Sequence, residues 1–287
     1  MNKNIIFCDV DQTLVDSNEQ ISSLTIKKLQ WLINEPHPHN EFMFCLISGR
    51  NNVNEKFIYD QLGIKENSYL VGSNGTQIYS LKEHQLIKQY GLEAEVANKI
   101  FKKLMQLREN NPNIIVWVSY GHQPYYYFIP YDEQAWQKHN ASHQLQLKDH
   151  FEPNDVLTIS PRQLSQRDYD EFIEFLKQFK NIHVVGAKEI MAVSHEGINK
   201  RSAIEYILNL ENIPSNHVCV IGDSENDVSM FEIPGVYSIT YATAKPCLMP
   251  LACDIVNAPI SEFIATGIDD FVKHLNHEEN SHKEQDE

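Results

Sequence analysis

The stretch Ile5-Ile6-Phe7-Cys8-Asp9-Val10-Asp11-Gln12-Thr13-Leu14 changes character at its middle. A short apolar run stops at two aspartates spaced i, i+2, and a threonine follows. An apolar run of this length, with no polar alternation, is expected to be a strand buried on both faces of a parallel sheet. Ligands of such sheets bind at the carboxyl ends of the strands. The residues therefore turn from core-filling to anionic where a site would lie. On an extended segment Asp9 and Asp11 would share one side, with Val10 turned away. Two carboxylates side by side repel unless a cation or a proton lies between them. The stretch alone also fits a strand followed by an ordinary Asp-rich turn.

Outward from that strand, the pattern repeats. Ile21 to Ile33 is expected to form an amphipathic helix through Leu24, Leu29, Leu32 and Ile33, ended by Glu35-Pro36. Phe42 to Ile47 is a second buried run, stopping at Ser48-Gly49-Arg50. A helix over Val53 to Leu62 leads to Tyr69-Leu70-Val71-Gly72 and the turn sequence Ser73-Asn74-Gly75-Thr76. This βαβαβ spacing predicts an α/β protein with a doubly wound parallel sheet.

Between about 83 and 190 the pattern differs. A helix over Glu93 to Arg108 precedes the runs Ile114 to Ser119 and Tyr125 to Ile129, joined as a hairpin by Gly121-His122-Gln123-Pro124. Tyr125 to Phe128 is expected to bury one face of its strand. Further runs at Asp155 to Ser160, Ile182 to Val185 and Ile190 to Val193 flank a helix over Ser165 to Phe179. Such a mixture predicts a small α+β domain with an antiparallel sheet. The βα pattern then resumes: a helix over Lys200 to Leu210, the run Val218 to Ile221 ending at Gly222-Asp223, Met230-Phe231 in a helix, and a late strand over Gly235 to Ile239. The expected division is a core of residues 1–82 and 191–275, an inserted domain of 83–190, and a polar, disordered tail of 276–287.

Composition narrows the function. A formal net charge of −15 argues against nucleic-acid binding through a basic face. No run approaches the ~18 apolar residues of a membrane helix, and Met1-Asn2-Lys3-Asn4 is expected to enter a strand directly, leaving no room for a secretory signal. Among Cys8, Cys45, Cys219, Cys247 and Cys253 no pair has CxxC spacing, and three sit in apolar runs. Buried free thiols and a cytoplasmic location are expected. The site itself should form where strands end: at Asp9 and Asp11, at Ser48, and at Asp223 with Asn226 and Asp227 just beyond. Converging carboxylates without histidine or cysteine favour Mg²⁺ over softer metals. Thr13, Ser48 and Lys200 supply hydroxyls and a charge suited to phosphate oxygens. A carboxylate nucleophile forming an aspartyl-phosphate is one known form of covalent catalysis.

With these residues in view, the chain resembles the haloacid dehalogenase superfamily, in its Cof-type (subfamily IIB) phosphatases with a large cap domain. Four motifs match in order: DxDxT at Asp9 to Thr13, the strand-end serine in Ser48-Gly49-Arg50, the lysine at Lys200, and GDxxND at Gly222 to Asp227. Ser73-Asn74-Gly75 is similar to the subgroup's turn before the cap. The resemblance implies that Asp9 is the nucleophile and Asp11 the general acid. It implies Mg²⁺ held by Asp9, Asp223 and the Asp11 backbone carbonyl, with Asp227 in support. Thr13, Ser48, Gly49, Lys200 and Asn226 would bind the phosphoryl group. The implied partner is a small phosphorylated metabolite, a sugar phosphate above all, with a chain that is a monomer or weak homodimer. Three departures from the pattern stand out: Gln12 and Arg201 where glycine is usual, and Tyr241-Ala242-Thr243-Ala244 for the usual Met-Gly-Asn-Ala. Two other readings are compatible with the same motifs: a phosphomutase or phosphotransferase, and a binding protein that keeps the fold without turnover. Arg50 is expected to be a structural ion-pair former outside the catalytic set.

Overall fold

A computed structural model describes residues 1–121, 125–129, 146–147, 150–186, 188–189 and 191–285. The first strand, β1 (Asn2–Cys8), is the centre of the molecule. It lies between β2 (Asn40–Ile47) and β12 (Val218–Ile221), parallel to both. Ile5 and Phe7 fill the core on one face of the sheet, and Ile6 and Cys8 fill it on the other. That two-sided burial is why the run is apolar throughout rather than alternating. Beyond β12 lie β13 (Tyr237–Tyr241) and β14 (Asp254–Val256), both parallel. Beyond β2 lies β3 (Tyr69–Gly72), also parallel. Then β4 (Gln77–Ser80) runs antiparallel to β3 and β5 (Gln85–Gln89) antiparallel to β4, completing an eight-stranded sheet in the order β14-β13-β12-β1-β2-β3-β4-β5.

Helices cover both faces. On one, α1 (Ser23–Asn34) buries Leu29, Leu32 and Ile33, and its first turn is capped by the Ser22 side chain. Helix α2 (Asn52–Asp60) packs Ile58 and Tyr59 into the same layer. The opposite face is covered by α5 (Lys200–Glu211), through Ile204 and Ile207, and by the short α6 (Val228–Phe231).

The inserted domain is a six-stranded sheet in the order β10-β11-β9-β6-β7-β8. These strands are β6 (Ile115–Tyr120), β7 (Tyr125–Ile129), β8 (Gln146–Leu147), β9 (Val156–Arg162), β10 (Ile182–Val185) and β11 (Ala192–His195). Most neighbours are antiparallel, as expected, while β7 and β8 are parallel. Helices α3 (Ala94–Asn110) and α4 (Gln166–Leu176) close a separate core on one face, with Ile100, Leu104, Val116, Ile159 and Phe172 in it. Strands β6 and β7 pair as a hairpin would. The expected turn residues His122 to Pro124, and the side chains of Tyr125 to Phe128, lie outside the described residues.

Two expected boundaries are corrected. Strand β5 pairs with β4, so the core runs to Gln89 rather than ending at 82, and β11 pairs with β9 and β10, so the cap runs to His195 rather than 190. Strand pairing, which sequence composition does not display, decides both. The tail is corrected too: α7 begins at Phe263 and continues to Gln285. Its start is anchored by Phe263, Ile264, Ile268, Phe271 and Leu275 in the core. Once such a helix is nucleated, each further residue adds a backbone hydrogen bond, and Glu, Lys and Gln are good helix formers. Residues 286–287 lie outside the described residues. Cys8, Cys45 and Cys219 are buried free thiols, whereas Cys247 and Cys253 are exposed. No helix among the described residues is long and apolar enough to cross a membrane.

Candidate active site

Because β1, β2 and β12 are parallel neighbours, their carboxyl ends open on one edge of the sheet. Asp9 follows β1, Ser48 follows β2, and Asp223 stands two residues beyond β12. Asp9, Asp223 and Asp227 each place a carboxylate oxygen within 4.8 Å of the other two, and all three are buried. Between two of them sits the Lys200 ammonium, with Nζ donating to Asp9 Oδ1 at 2.5 Å and to Asp227 Oδ1 at 2.6 Å. Lys200 is the first residue of α5, whose start is fixed by a reciprocal capping box between Asn199 and Ser202. Helix geometry therefore aims a lysine, commonly a surface residue, into the core edge.

The loop of GDxxND is built around the Asp227 carboxylate. Its Oδ2 accepts the backbone N–H groups of Asp223 and Ser224, both at 3.0 Å. A Cβ on Gly222 would stand 2.6 Å from Asp227 Cγ, so only glycine admits that approach. Thr13, fully buried, donates its hydroxyl to Asp223 Oδ1 at 3.1 Å. Asn226 accepts from Ser224 Oγ at 2.6 Å and donates to Asn74 Oδ1 at 3.4 Å, linking this loop to the turn that follows β3.

Asp11 is held apart from this cluster. Its side chain is 55% exposed against 5% for Asp9, and Arg50 grips it with a fork, Nη2 to Oδ1 at 2.5 Å and Nε to Oδ2 at 3.0 Å. Arg50 Nη2 also donates to Glu19 at 2.9 Å. The two aspartates that the sequence places i, i+2 thus each have a cation of their own, Lys200 for Asp9 and Arg50 for Asp11.

Electrostatics follow from burial. Burial pushes the Asp9 carboxyl well above the usual carboxylate range; Lys200 opposes this, and Asp227 and Asp223 add to it. Asp223 is pushed up to about 7, first by burial and then by Asp227. Burial alone would pull Lys200 down, but Asp227 and Asp9 outweigh it and hold the ammonium above its ordinary value. Three buried carboxylates share a single lysine, so the cluster is short of positive charge. An all-oxygen donor set with excess negative charge fits a hard divalent cation such as Mg²⁺.

Above the cluster, core and cap enclose a cleft of about 740 Å³. The core contributes Asp9, Asp11, Gln12, Ser48, Gly49, Arg50, Asn74, Asp223 and Asn226, and the cap contributes Trp117, Thr158, Ser160 and Arg162. Of the residues expected to contact phosphate, Ser48, Gly49 and Asn226 line the cleft. Thr13 and Lys200 lie beneath its surface, committed to Asp223 and to Asp9 and Asp227 respectively. Ser48 does not cap the helix after it, because Asn51 does; its Oγ accepts the Arg50 N–H at 3.1 Å. Asp11, expected to offer a metal its backbone carbonyl, keeps its carboxylate on Arg50, outside the cluster.

Gln12, where glycine is usual, has φ +60°, in the left-handed region. That conformation is the reason glycine suits the position. Its carbonyl accepts the Tyr241 hydroxyl at 3.0 Å, and it lines the cleft. Arg50 is expected from the sequence to be an ion-pair former. It is one, but its partner is the expected general acid. Nothing in the sequence marks the cap's cleft residues beyond the strand period of two at which Thr158, Ser160 and Arg162 repeat.

Residues 6–258 match the model of the haloacid dehalogenase-like hydrolases. A Mycoplasma pneumoniae protein named "Putative phosphatase" is 26% identical, covering 93% of this chain and 95% of its own. Among solved structures, a haloacid dehalogenase-like hydrolase from Bacteroides thetaiotaomicron superposes with a TM-score of 0.76 at 18% identity, over 94% of this chain and 99% of that one. A sugar phosphatase of subclass IIB superposes with a TM-score of 0.71 at 17% identity, over 94% and 99% of the two chains. A family match across most of the chain, on a fold that brings the matched motifs to one sheet edge, has one reading: the chain belongs to the haloacid dehalogenase-like hydrolases, in the Cof-type group of phosphatases.

Proposed function

We propose that this phosphatase is a Mg²⁺-dependent phosphomonoesterase that works through an aspartyl-phosphate on Asp9 and acts on a small sugar phosphate. The observation that carries the reading is the pairing of a buried Asp9, under a cleft of metabolite size, with a separate, half-exposed Asp11 at the same cleft. The two carboxylates have environments different enough for different roles. An Asp9 oxygen attacks phosphorus and the bond from phosphorus to the leaving oxygen breaks, while Asp11, protonated on an oxygen that Arg50 releases as substrate enters, gives the leaving oxygen a proton. Water then attacks the acyl-phosphate, Asp11 takes the water's proton, and Asp9 is released with inorganic phosphate. Lys200 holds Asp9 in place and opposes the upward push of burial on its carboxyl. Arg50 holds Asp11 in its orientation. Ser48, Gly49 and Asn226 offer polar contacts to the phosphoryl oxygens.

Asp9, Asp223 and Asp227 would hold Mg²⁺, whose charge would offset that of the phosphoryl group. The sugar-phosphate class is supported by the Thr158 and Ser160 hydroxyls and the Trp117 ring on the cap side of the cleft, and by the naming of one structural neighbour as a sugar phosphatase.

The test is phosphate release from a panel of sugar phosphates with Mg²⁺, beside Asp9→Asn and a chelator control. Release lost in both controls is the expected result. Undiminished release by Asp9→Asn would refute the nucleophile, and phosphate appearing on an added sugar rather than in water would make the protein a transferase.

A further inference from the structure

Strand β9 alternates between two environments. Ile159 packs under α3 and α4, whereas Thr158, Ser160 and Arg162 turn to the cleft. Arg162 is the last and the most distinctive. Its Nη1 donates to the carbonyls of Met191 at 2.7 Å and Pro161 at 3.0 Å, which fixes the plane of the guanidinium. Neither contact is anionic, and among the described residues no carboxylate pairs with it. The other N–H donors of the fork are uncommitted. Burial pulls the guanidinium below its ordinary value, and no neighbouring anion opposes the pull.

The other cations at this site differ. Arg50 is satisfied by Asp11 and Glu19, Lys200 by Asp9 and Asp227, and Lys245 lies 3.8 Å from Glu225. An arginine cannot shed its proton to escape a partly buried site, and an unpaired buried charge is costly unless something completes it. A fixed, half-buried fork with free donors suits a planar or tetrahedral oxyanion. The transferred phosphate belongs at the opposite, core end, against Asp9.

We infer that the substrate carries a second anionic group on its leaving portion, a carboxylate or another phosphate, and that Arg162 receives it. This rests on the phosphatase reading, since it takes Asp9 to mark the position of the phosphate that is removed.

Equilibrium binding tests it in the Mg²⁺-loaded Asp9→Asn protein, by calorimetry with matched probes. The carboxylate arms are 3-phosphoglycerate against glycerol 3-phosphate and 6-phosphogluconate against glucose 6-phosphate. The second-phosphate arm is fructose 1,6-bisphosphate against fructose 6-phosphate. In at least one arm the extra anion should tighten binding roughly 10- to 100-fold, the range for a charge-assisted bond. Arg162→Met in the same background should bring that ratio near one. Arg162→Lys, which keeps a donor for the Met191 carbonyl but loses the fork, should lower it part-way and serves if the methionine variant does not fold. Ratios near one in every arm, or a ratio untouched by both substitutions, would overturn the inference. Wild-type turnover is read separately: no phosphate release from any probe would count against the phosphatase reading, while the binding ratio would still decide the role of Arg162.

Discussion

Lys200→Met is the sharpest test of how the site is held together. The ammonium lies 2.5 Å from one Asp9 oxygen and 2.6 Å from one Asp227 oxygen, and its side chain is 1% exposed against 5% and 0% for theirs. Methionine keeps the length and removes the charge. Asp9, Asp223 and Asp227 would then be three buried carboxylates with no cation among them. Removing one partner of a buried pair costs about 3–5 kcal/mol. For a chain of this size that lowers the melting temperature by roughly 10 °C, at about 2–4 °C per kcal/mol. The assay is thermal unfolding in chelator, at about pH 8 and about pH 5.5. Burial already raises Asp9 and Asp223, and loss of Lys200 would raise Asp9 further, so at the lower pH protons replace the missing charge. The deficit should therefore shrink on acidification. A variant that melts within about 2 °C of wild type at the higher pH, or a deficit equal at both, would refute the account of Lys200 as the charge on which the cluster depends.

Three other outcomes follow from the same geometry. Arg50→Lys keeps a charge near Asp11 but loses the two-pronged grip, and kcat should fall about 10- to 100-fold with little change in KM; steady-state kinetics on any substrate turned over checks this. Gln12→Gly relieves a left-handed φ of +60°, worth about 1–2 kcal/mol, against about 0.5–1 kcal/mol of added unfolded-chain entropy; unfolding by denaturant should find a small net gain. Metal-free stability should fall as pH rises from about 4 towards about 7, because folded Asp223, pushed up to about 7, retains a proton that the unfolded chain has released. Mg²⁺ competes with that proton, so its stabilisation, read as a shift in melting temperature, should be larger near pH 8 than near pH 6; equal shifts would contradict the reasoning.

Most of the core site was legible because its residues lie at strand ends, where a change from apolar to polar is visible in the linear pattern. Asp9, Ser48 and Asp223 could be placed together from topology alone. What the pattern could not give was partnership. Thr13 and Lys200 read as phosphate contacts, yet in the fold their polar atoms face Asp223, Asp9 and Asp227. Arg50 read as structural, since nothing in Ser48-Gly49-Arg50 says that Asp11 and Glu19 stand opposite. The limits of the cap moved because β5 joins the core sheet through a short hairpin with β4, and β11 joins the cap sheet through β10 and the more distant β9. The polar tail reads as disordered because its composition is polar, yet its backbone continues α7 to Gln285.

The two passages of chain between core and cap come close together in space. One runs through Tyr90, whose ring lies 6.1 Å from that of His195; the other leaves His195 and reaches Lys200 within five residues. In that second passage Gly197 has φ +71° and open space around it, whereas Asn199 is clamped. The Gly75 backbone presses on its carbonyl so tightly that a Cβ there would come within 2.3 Å, and the capping box fixes its side chain. A cap swinging on these passages would find slack at Gly197 and a brace at Asn199. The torque would be spent before it reached the lysine, so the cap could open and close over substrate while the charges beneath it kept their register.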